Sequence, residues 1–207
     1  VLKPLQDAID AGDAIRAVIW NTGVNQDGRT RGITMPNSAS QEELIRTVYR
    51  QAQIDPADTG YVEAHGTGTT VGDPAEARAL SAVFCHGKDR KSPLLIGSVK
   101  SNVGHAEGAS GIVAIIKTAL MLERGFILPN CGVTEPNNDI PMKEWNMKVN
   151  APSMSTSSIE ADNSIRSPKR SPRGPEGKSM PVSIISVMEE QTLMLLWVNH
   201  LPFNLRR

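Results

Sequence analysis

Charge of either sign in excess is absent from this 207-residue sequence, in which 22 Lys and Arg offset 22 Asp and Glu. No global field therefore draws the chain to nucleic acid or to an anionic membrane. Cysteine is nearly absent too, with only Cys85 and Cys131. Two cysteines without a secretory leader do not make a disulfide framework, and a reducing, cytoplasmic setting is expected. Long apolar runs are missing, which excludes a signal peptide or a membrane span. Aromatic residues make up 4% of the chain, while 17 Gly and 14 Pro are present. That balance suits an α/β protein with many tight loops. The first residue is Val1, and the sequence reads as a soluble piece of a longer protein.

Hydrophobic spacing over residues 1–15 predicts a helix with Leu2, Leu5, Ile9 and Ile15 as core contacts and Gly12 as its stop. A buried strand is expected at 16–20, then a polar loop from Asn21 to Ser40. Ser40 with Glu43 forms a capping box that opens a helix through Gln53. A short strand over 61–64 leads into His65. Asp73-Pro74 with Glu76 is a second helix start, running to about Phe84. Leu94 to Ser98 reads as a strand, and 111–124 as a helix apolar on nearly every side, hence buried. Strand and helix alternating in this way predict a layered α/β fold.

Beyond Asn150 the character changes. Residues 151–180 are rich in Ser, Pro and Arg and nearly devoid of apolar side chains, the composition of a disordered segment. A basic run at 166–173 reads as a solvated stretch ahead of a modification or import patch. The apolar segment 193–198 is too short to span a bilayer and is expected to be an exposed aggregation hazard.

Chemistry concentrates in two motifs, Glu63-Ala-His65-Gly-Thr67-Gly-Thr69 and Lys100-Ser-Asn102-Val-Gly-His105-Ala-Glu107. Each puts a histidine where an apolar run gives way to Gly, Ser and Thr, so the imidazole is presented at a crevice. Imidazole suits proton transfer and carbonyl binding near neutral pH. A metal site is disfavoured because no third ligand stands at ligand spacing. The Gly66-to-Gly72 run resembles a dinucleotide loop, but its last spacing is one residue too long and Asp73 follows directly. The adjacent Cys85 and His86 are not read as nucleophile and base, since sequence neighbours rarely face each other.

EAHGTGT at 63–69, followed by GDPAEARAL at 72–80, resembles the second motif of β-ketoacyl synthases, the condensing enzymes of polyketide and fatty-acid synthesis. KSNVGHAEGASG at 100–111 resembles the third, and RAVIWNTGVNQDG at 16–28 resembles the segment ahead of them in modular and fungal polyketide synthases. The resemblance runs continuously from residue 1 to about 150. It implies a thiolase-like (condensing-enzyme) layered α/β fold, here incomplete, comprising the end of one half and most of the other. It implies acyl transfer with decarboxylative Claisen condensation of a malonyl-type extender onto an acyl thioester. His65 and His105 would then be donors to the enolate and tetrahedral oxyanions. Lys100 would set the electrostatics and geometry of the His105 loop, with Asn102 in support and Glu107 as its brace. Thr67 and Thr69 match positions bordering the pantetheine arm. The implied partners are acyl and malonyl thioesters on the phosphopantetheine of an acyl carrier protein, and a second copy in a homodimer.

Two features depart from the family pattern. Its nucleophilic cysteine lies in an elbow ahead of the first histidine motif, and no cysteine precedes His65. Condensation by this chain alone is therefore not expected, and a non-catalytic remnant that binds a partner stands as the alternative. The second departure is the family's closing segment, replaced here by residues 183–194. One permitted codon choice for those residues, read one base out of register, encodes NNFGYGGTNAH, a match to that segment. A frame change between about 150 and 181 is expected to account for it and for the Ser/Arg tract, so 151–207 is expected to be an aberrant, disordered tail.

Overall fold

The computed structural model describes residues 1–151 except 31, 33, 34, 134 and 136, together with the backbone of 184–189 and 192–197. The elements in chain order are α1 (Leu5–Asp10), β1 (Val18–Val24), α2 (Ser38–Ala52), β2 (Thr59–Glu63), α3 (Gly72–Phe84), β3 (Leu94–Gly97), α4 (Lys100–Val103), α5 (Ser110–Arg124), β4 (Met147–Val149), β5 (Ile184–Glu189) and β6 (Thr192–Trp197). The six strands form one sheet in the order β1-β6-β5-β2-β3-β4. Strand β2 runs parallel to both β3 and β5, and β3 parallel to β4. Strand β6 is antiparallel to β5 and to β1.

Alternation along β2 and β3 gives the sheet two buried faces. Val62, Leu94 and Ile96 pack against Leu44, Ile45 and Val48 of α2 and Leu80, Val83 and Phe84 of α3. Tyr61 and Leu95 point the other way, toward Met121 and Leu122 of α5. Parallel strands covered by helices on both faces read as near-continuous apolar runs, which is why they are visible in sequence. At the base of the first layer the Tyr49 ring meets Phe84 edge-on at 5.3 Å, and its hydroxyl lies 2.7 Å from Thr59 Oγ1.

Several local expectations are corrected. The first helix is short, Leu5–Asp10, and buries Ala8, while Leu2 and Leu5 are exposed. Strand β1 continues to Val24, through residues predicted to be loop, because Asn21–Val24 pair with Thr192–Leu195 of β6. Helix α2 starts earlier than the Ser40–Glu43 box. Asn37 is its cap, accepting from the Ala39 and Ser40 amides, and Glu43 instead accepts from the Thr47 hydroxyl. Within 151–207, where no packed structure was expected, β5 and β6 form a hairpin inserted between β1 and β2. The Ser/Arg tract and the side chains of the closing segment lie outside the described residues.

Helix α5 also differs from its prediction. Its inward line is Ser110, Ala114, Thr118 and Met121, whereas Ile112, Ile116 and Leu120 are 59%, 54% and 43% exposed. These three recur at helical spacing and make one outward apolar stripe. Substituting Ile116→Lys is therefore expected to change stability by no more than about 0.5 kcal/mol in urea unfolding. A loss several times larger would show that this face is covered in the chain as it stands.

Candidate active site

Both histidines lie just past the carboxyl ends of neighbouring parallel strands, the position where open α/β sheets bind ligands. Strand β2 ends at Glu63, and the Ala64 amide still donates to the Gly97 carbonyl at 2.7 Å before the chain leaves the sheet at His65. Gly66 follows with φ +48, and a Cβ there would lie 3.0 Å from Ser98 Cβ. Only glycine fits both conditions.

The loop is held from α3. Glu76 accepts from the His65 amide at 2.7 Å and the Gly66 amide at 3.0 Å, and Asp73 accepts from the Gly68 amide at 3.1 Å. The two acids predicted to cap their own helix thus cap the histidine loop, and α3 has no side-chain cap. Burial pushes both carboxyls above their usual range, while the amides they accept from and His65 pull them back. Carboxylates thus take the His65, Gly66 and Gly68 amides, which the nucleotide-loop alternative would need free for a phosphate. Ser98 adds a cross-link, its hydroxyl donating to the His65 carbonyl at 3.3 Å.

The second loop leaves β3 through Ser98 and Val99 into α4. Gly104, Ala106 and Glu107 all have positive φ, +75, +58 and +44. Left-handed alanine and glutamate cost roughly 1–3 kcal/mol each and persist where the surroundings over-determine them. Here the turn brings His105 against His65, with ring centroids 5.2 Å apart and planes at 80°.

A cavity of about 480 Å³ opens beside the pair. His105, Lys100 and Thr67 line it together with Leu80, Ile96, Ile140 and Met142. Lys100 is buried. Asn102 points elsewhere, donating to Cys131 Sγ at 2.9 Å. Thr69 is exposed and does not line the cavity; its hydroxyl accepts from the Gly72 amide at 3.1 Å and closes the turn into α3. Glu107 is exposed. Among the described residues no three His, Cys, Asp or Glu are grouped to hold a metal ion.

Neither thiol is placed for nucleophilic work on this site. Cys85 is buried at the far end of α3 near the Asn146 carbonyl, and burial pushes its thiol up. Cys131 is exposed and engaged with Asn102.

The sequence reading missed a buried polar cluster beneath the histidines. Lys117 Nζ of α5 donates to Glu63 Oε2 at 2.6 Å and to the Tyr61 hydroxyl at 3.0 Å, and that hydroxyl donates to Glu63 Oε2 at 2.5 Å. Burial, then the Glu63 charge, drives the Tyr61 phenol far above its usual range. The signal was present in sequence. A lone acid in the apolar run YVEA and a lone base in GIVAIIKTALML are opposite charges inside buried elements, and such charges are ordinarily paired.

Residues 16–134 match the model of the beta-ketoacyl synthase C-terminal domain. The chain belongs to this family. The synthase domain is 61% identical over 148 residues to the highly reducing polyketide synthase phiA of Fungal sp., covering 72% of this chain and 6% of that protein. It is 60% identical over 149 residues to a reducing polyketide synthase of Cochliobolus heterostrophus, again covering 72% and 6%. The chain therefore spans only a small part of these relatives. Among solved structures it resembles the ketosynthase from module 6 of the bacillaene synthase of Bacillus subtilis 168, as its C167S mutant. That match has a TM-score of 0.78 and 32% identity, covering 97% of this chain and 34% of the other. A ketosynthase domain of the Streptomyces albus JA3453 oxazolomycin system matches with a TM-score of 0.77 and 30% identity, covering 97% and 34%. The fold is thus the thiolase-like fold of condensing enzymes, present in part.

Proposed function

We propose that this chain is the histidine-bearing part of a polyketide β-ketoacyl synthase. The observation that carries the reading is the His65–His105 pair, 5.2 Å apart at the ends of β2 and β3 and beside a cavity. In decarboxylative condensation the carboxylate–carbon bond of a malonyl thioester breaks and carbon dioxide leaves. The electron pair passes to the thioester oxygen as an enolate. Two imidazole N–H groups converging on that oxygen stabilise it more than they stabilise the ground-state carbonyl, which is the condition for lowering the barrier. The enolate carbon then attacks an acyl thioester on a cysteine, and the tetrahedral oxyanion collapses with release of the thiolate.

Lys100, buried and lining the same cavity as His105, is read as the residue that sets the geometry of the His105 loop. Thr67 on the cavity wall has a hydroxyl suited to the amides of a pantetheine arm, so the carrier is read as an acyl carrier protein with its phosphopantetheine. Asn102, Thr69 and Glu107 act, if at all, by shaping their loops. The cysteine nucleophile must come from outside these residues, and the exposed stripe of α5 is the surface on which the remainder of a ketosynthase would rest. Homodimer formation, and the cytoplasm as its compartment, follow for the intact enzyme. Among the described residues no helix is long and apolar enough to cross a membrane.

The same exposed stripe favours a second reading, a non-catalytic fragment that only binds a partner chain. Incubation of the chain with acyl and malonyl carrier-protein thioesters is expected to give no β-ketoacyl product. Product from the chain alone would overturn the assignment of the nucleophile to other residues.

A further inference from the structure

Glu63 does not line the cavity, yet it ends the strand that leads into the His65 loop and its carboxylate holds the start of the His105 loop. It is the last residue of β2 and wholly buried. Its Oε2 takes the Lys117 ammonium of α5 and the Tyr61 hydroxyl, while its Oε1 accepts the Val99 amide at 2.5 Å. Val99 is the residue from which α4 springs, directly ahead of Lys100, and His65 lies two residues beyond Glu63 on the other loop. One side chain thus ties the exit of β2 to the exit of β3. A charged acceptor makes such an amide bond about twice as strong as a neutral one. Lys117 supplies the counter-charge at 2.6 Å, with its Nζ also 5.6 Å from the Tyr61 ring centre.

We infer that Glu63 is a positioning residue that sets the separation of His65 and His105 by clamping the Val99 amide, with Lys117 as its neutralising partner. The inference rests on the reading of the two histidines as a pair of donors. It goes further in assigning their spacing to a buried residue that makes no contact with substrate. Two neutral ties lie beside the Glu63 clamp. The Ser98 hydroxyl donates to the His65 carbonyl and accepts from the Lys100 amide, both at 3.3 Å, and the Ala64 amide donates to the Gly97 carbonyl. The Glu63 tie is the charged and wholly buried one.

The test separates clamping from mere stability. In Glu63→Leu with Lys117→Met the buried pair is replaced by apolar side chains of similar volume, a change that is often neutral for stability. In Glu63→Gln with Lys117→Met an amide oxygen remains to accept from Val99. Both are made in the full chain and read by NMR, following the cross-relaxation between the two imidazole rings and hydrogen exchange at the Val99 amide. The Leu/Met pair is expected to exchange roughly tenfold faster at Val99. Its ring-to-ring signal should fall about twofold, as a displacement near 0.5 Å would give. The Gln/Met pair is expected to recover both. Should the Leu/Met pair not fold, Glu63→Asp keeps the charge for Lys117 but withdraws the oxygen from Val99, and the same two losses are expected. Wild-type ring contact and wild-type Val99 protection in the folded Leu/Met or Asp variant would overturn the inference while leaving the histidine assignment untouched.

Discussion

Lys117→Met is expected to destabilise the chain by about 3–5 kcal/mol, the usual result of removing one member of a buried ion pair. The Lys117 side chain is 9% exposed and that of Glu63 is 0% exposed, so water cannot take over the lost charge. The variant keeps nearly the same apolar stem beside the Tyr61 ring. What is lost is the ammonium, leaving the buried carboxyl with only the Tyr61 hydroxyl and the Val99 amide. Urea unfolding of wild type and variant gives the difference directly. A loss below about 1 kcal/mol would mean that the pair is open to solvent and behaves like a surface salt bridge. Adding Glu63→Leu to Lys117→Met should restore only part of the stability, because it removes the stranded carboxylate but leaves the Val99 amide and the Tyr61 hydroxyl without their acceptor.

Glu76→Ala is the second large change expected, and it acts on the site itself. The Glu76 carboxylate is the acceptor for two successive amides, those of His65 and Gly66. Deleting it orphans two donors, at about 1–3 kcal/mol for each that stays dry. Part of this is offset, since burying the carboxylate is itself unfavourable, as its upward-shifted pKa shows. A net loss of about 2–4 kcal/mol is expected, again within the range for stranded buried donors. The structural signature is more telling than the magnitude. Exchange at the His65 and Gly66 amides should accelerate well ahead of global unfolding, while α2 and the base of the sheet stay protected. Unchanged protection at both amides would contradict the role given to Glu76.

Sequence made the layered α/β architecture legible because β2 and β3 are short apolar runs that end in Gly- and Ser-rich loops. It also made the two histidines legible, because each sits inside a long motif of specific composition. It did not reveal what holds them. Asp73 and Glu76 stand at helix-start spacing, and local rules assign them to their own helix; only the fold shows that the loop before α3 turns back over them. Glu63 and Lys117 are far apart in sequence, and no short-range pattern pairs them. The extent of β1 was hidden for a similar reason, since Asn21–Val24 become strand only by pairing with β6. Helix α5 was read as buried on all sides because composition does not say which face a neighbour covers. Of the proposed supporting residues, Lys100 and Thr67 line the cavity, whereas Asn102 donates to Cys131 and Thr69 closes the turn into α3.

The most direct measurement is made in a complete enzyme. Residues 16–150 of this chain replace the matching segment of a fungal highly reducing polyketide synthase, and release of carbon dioxide from a malonyl carrier-protein thioester is followed. The expected result is a chimera that decarboxylates, with His65→Ala and His105→Ala each slowing it by about 100-fold or more, the usual cost of losing one oxyanion donor. Acylation of the host's cysteine should persist in both variants. A chimera whose two single variants release carbon dioxide at the parental rate would contradict the assignment of the pair.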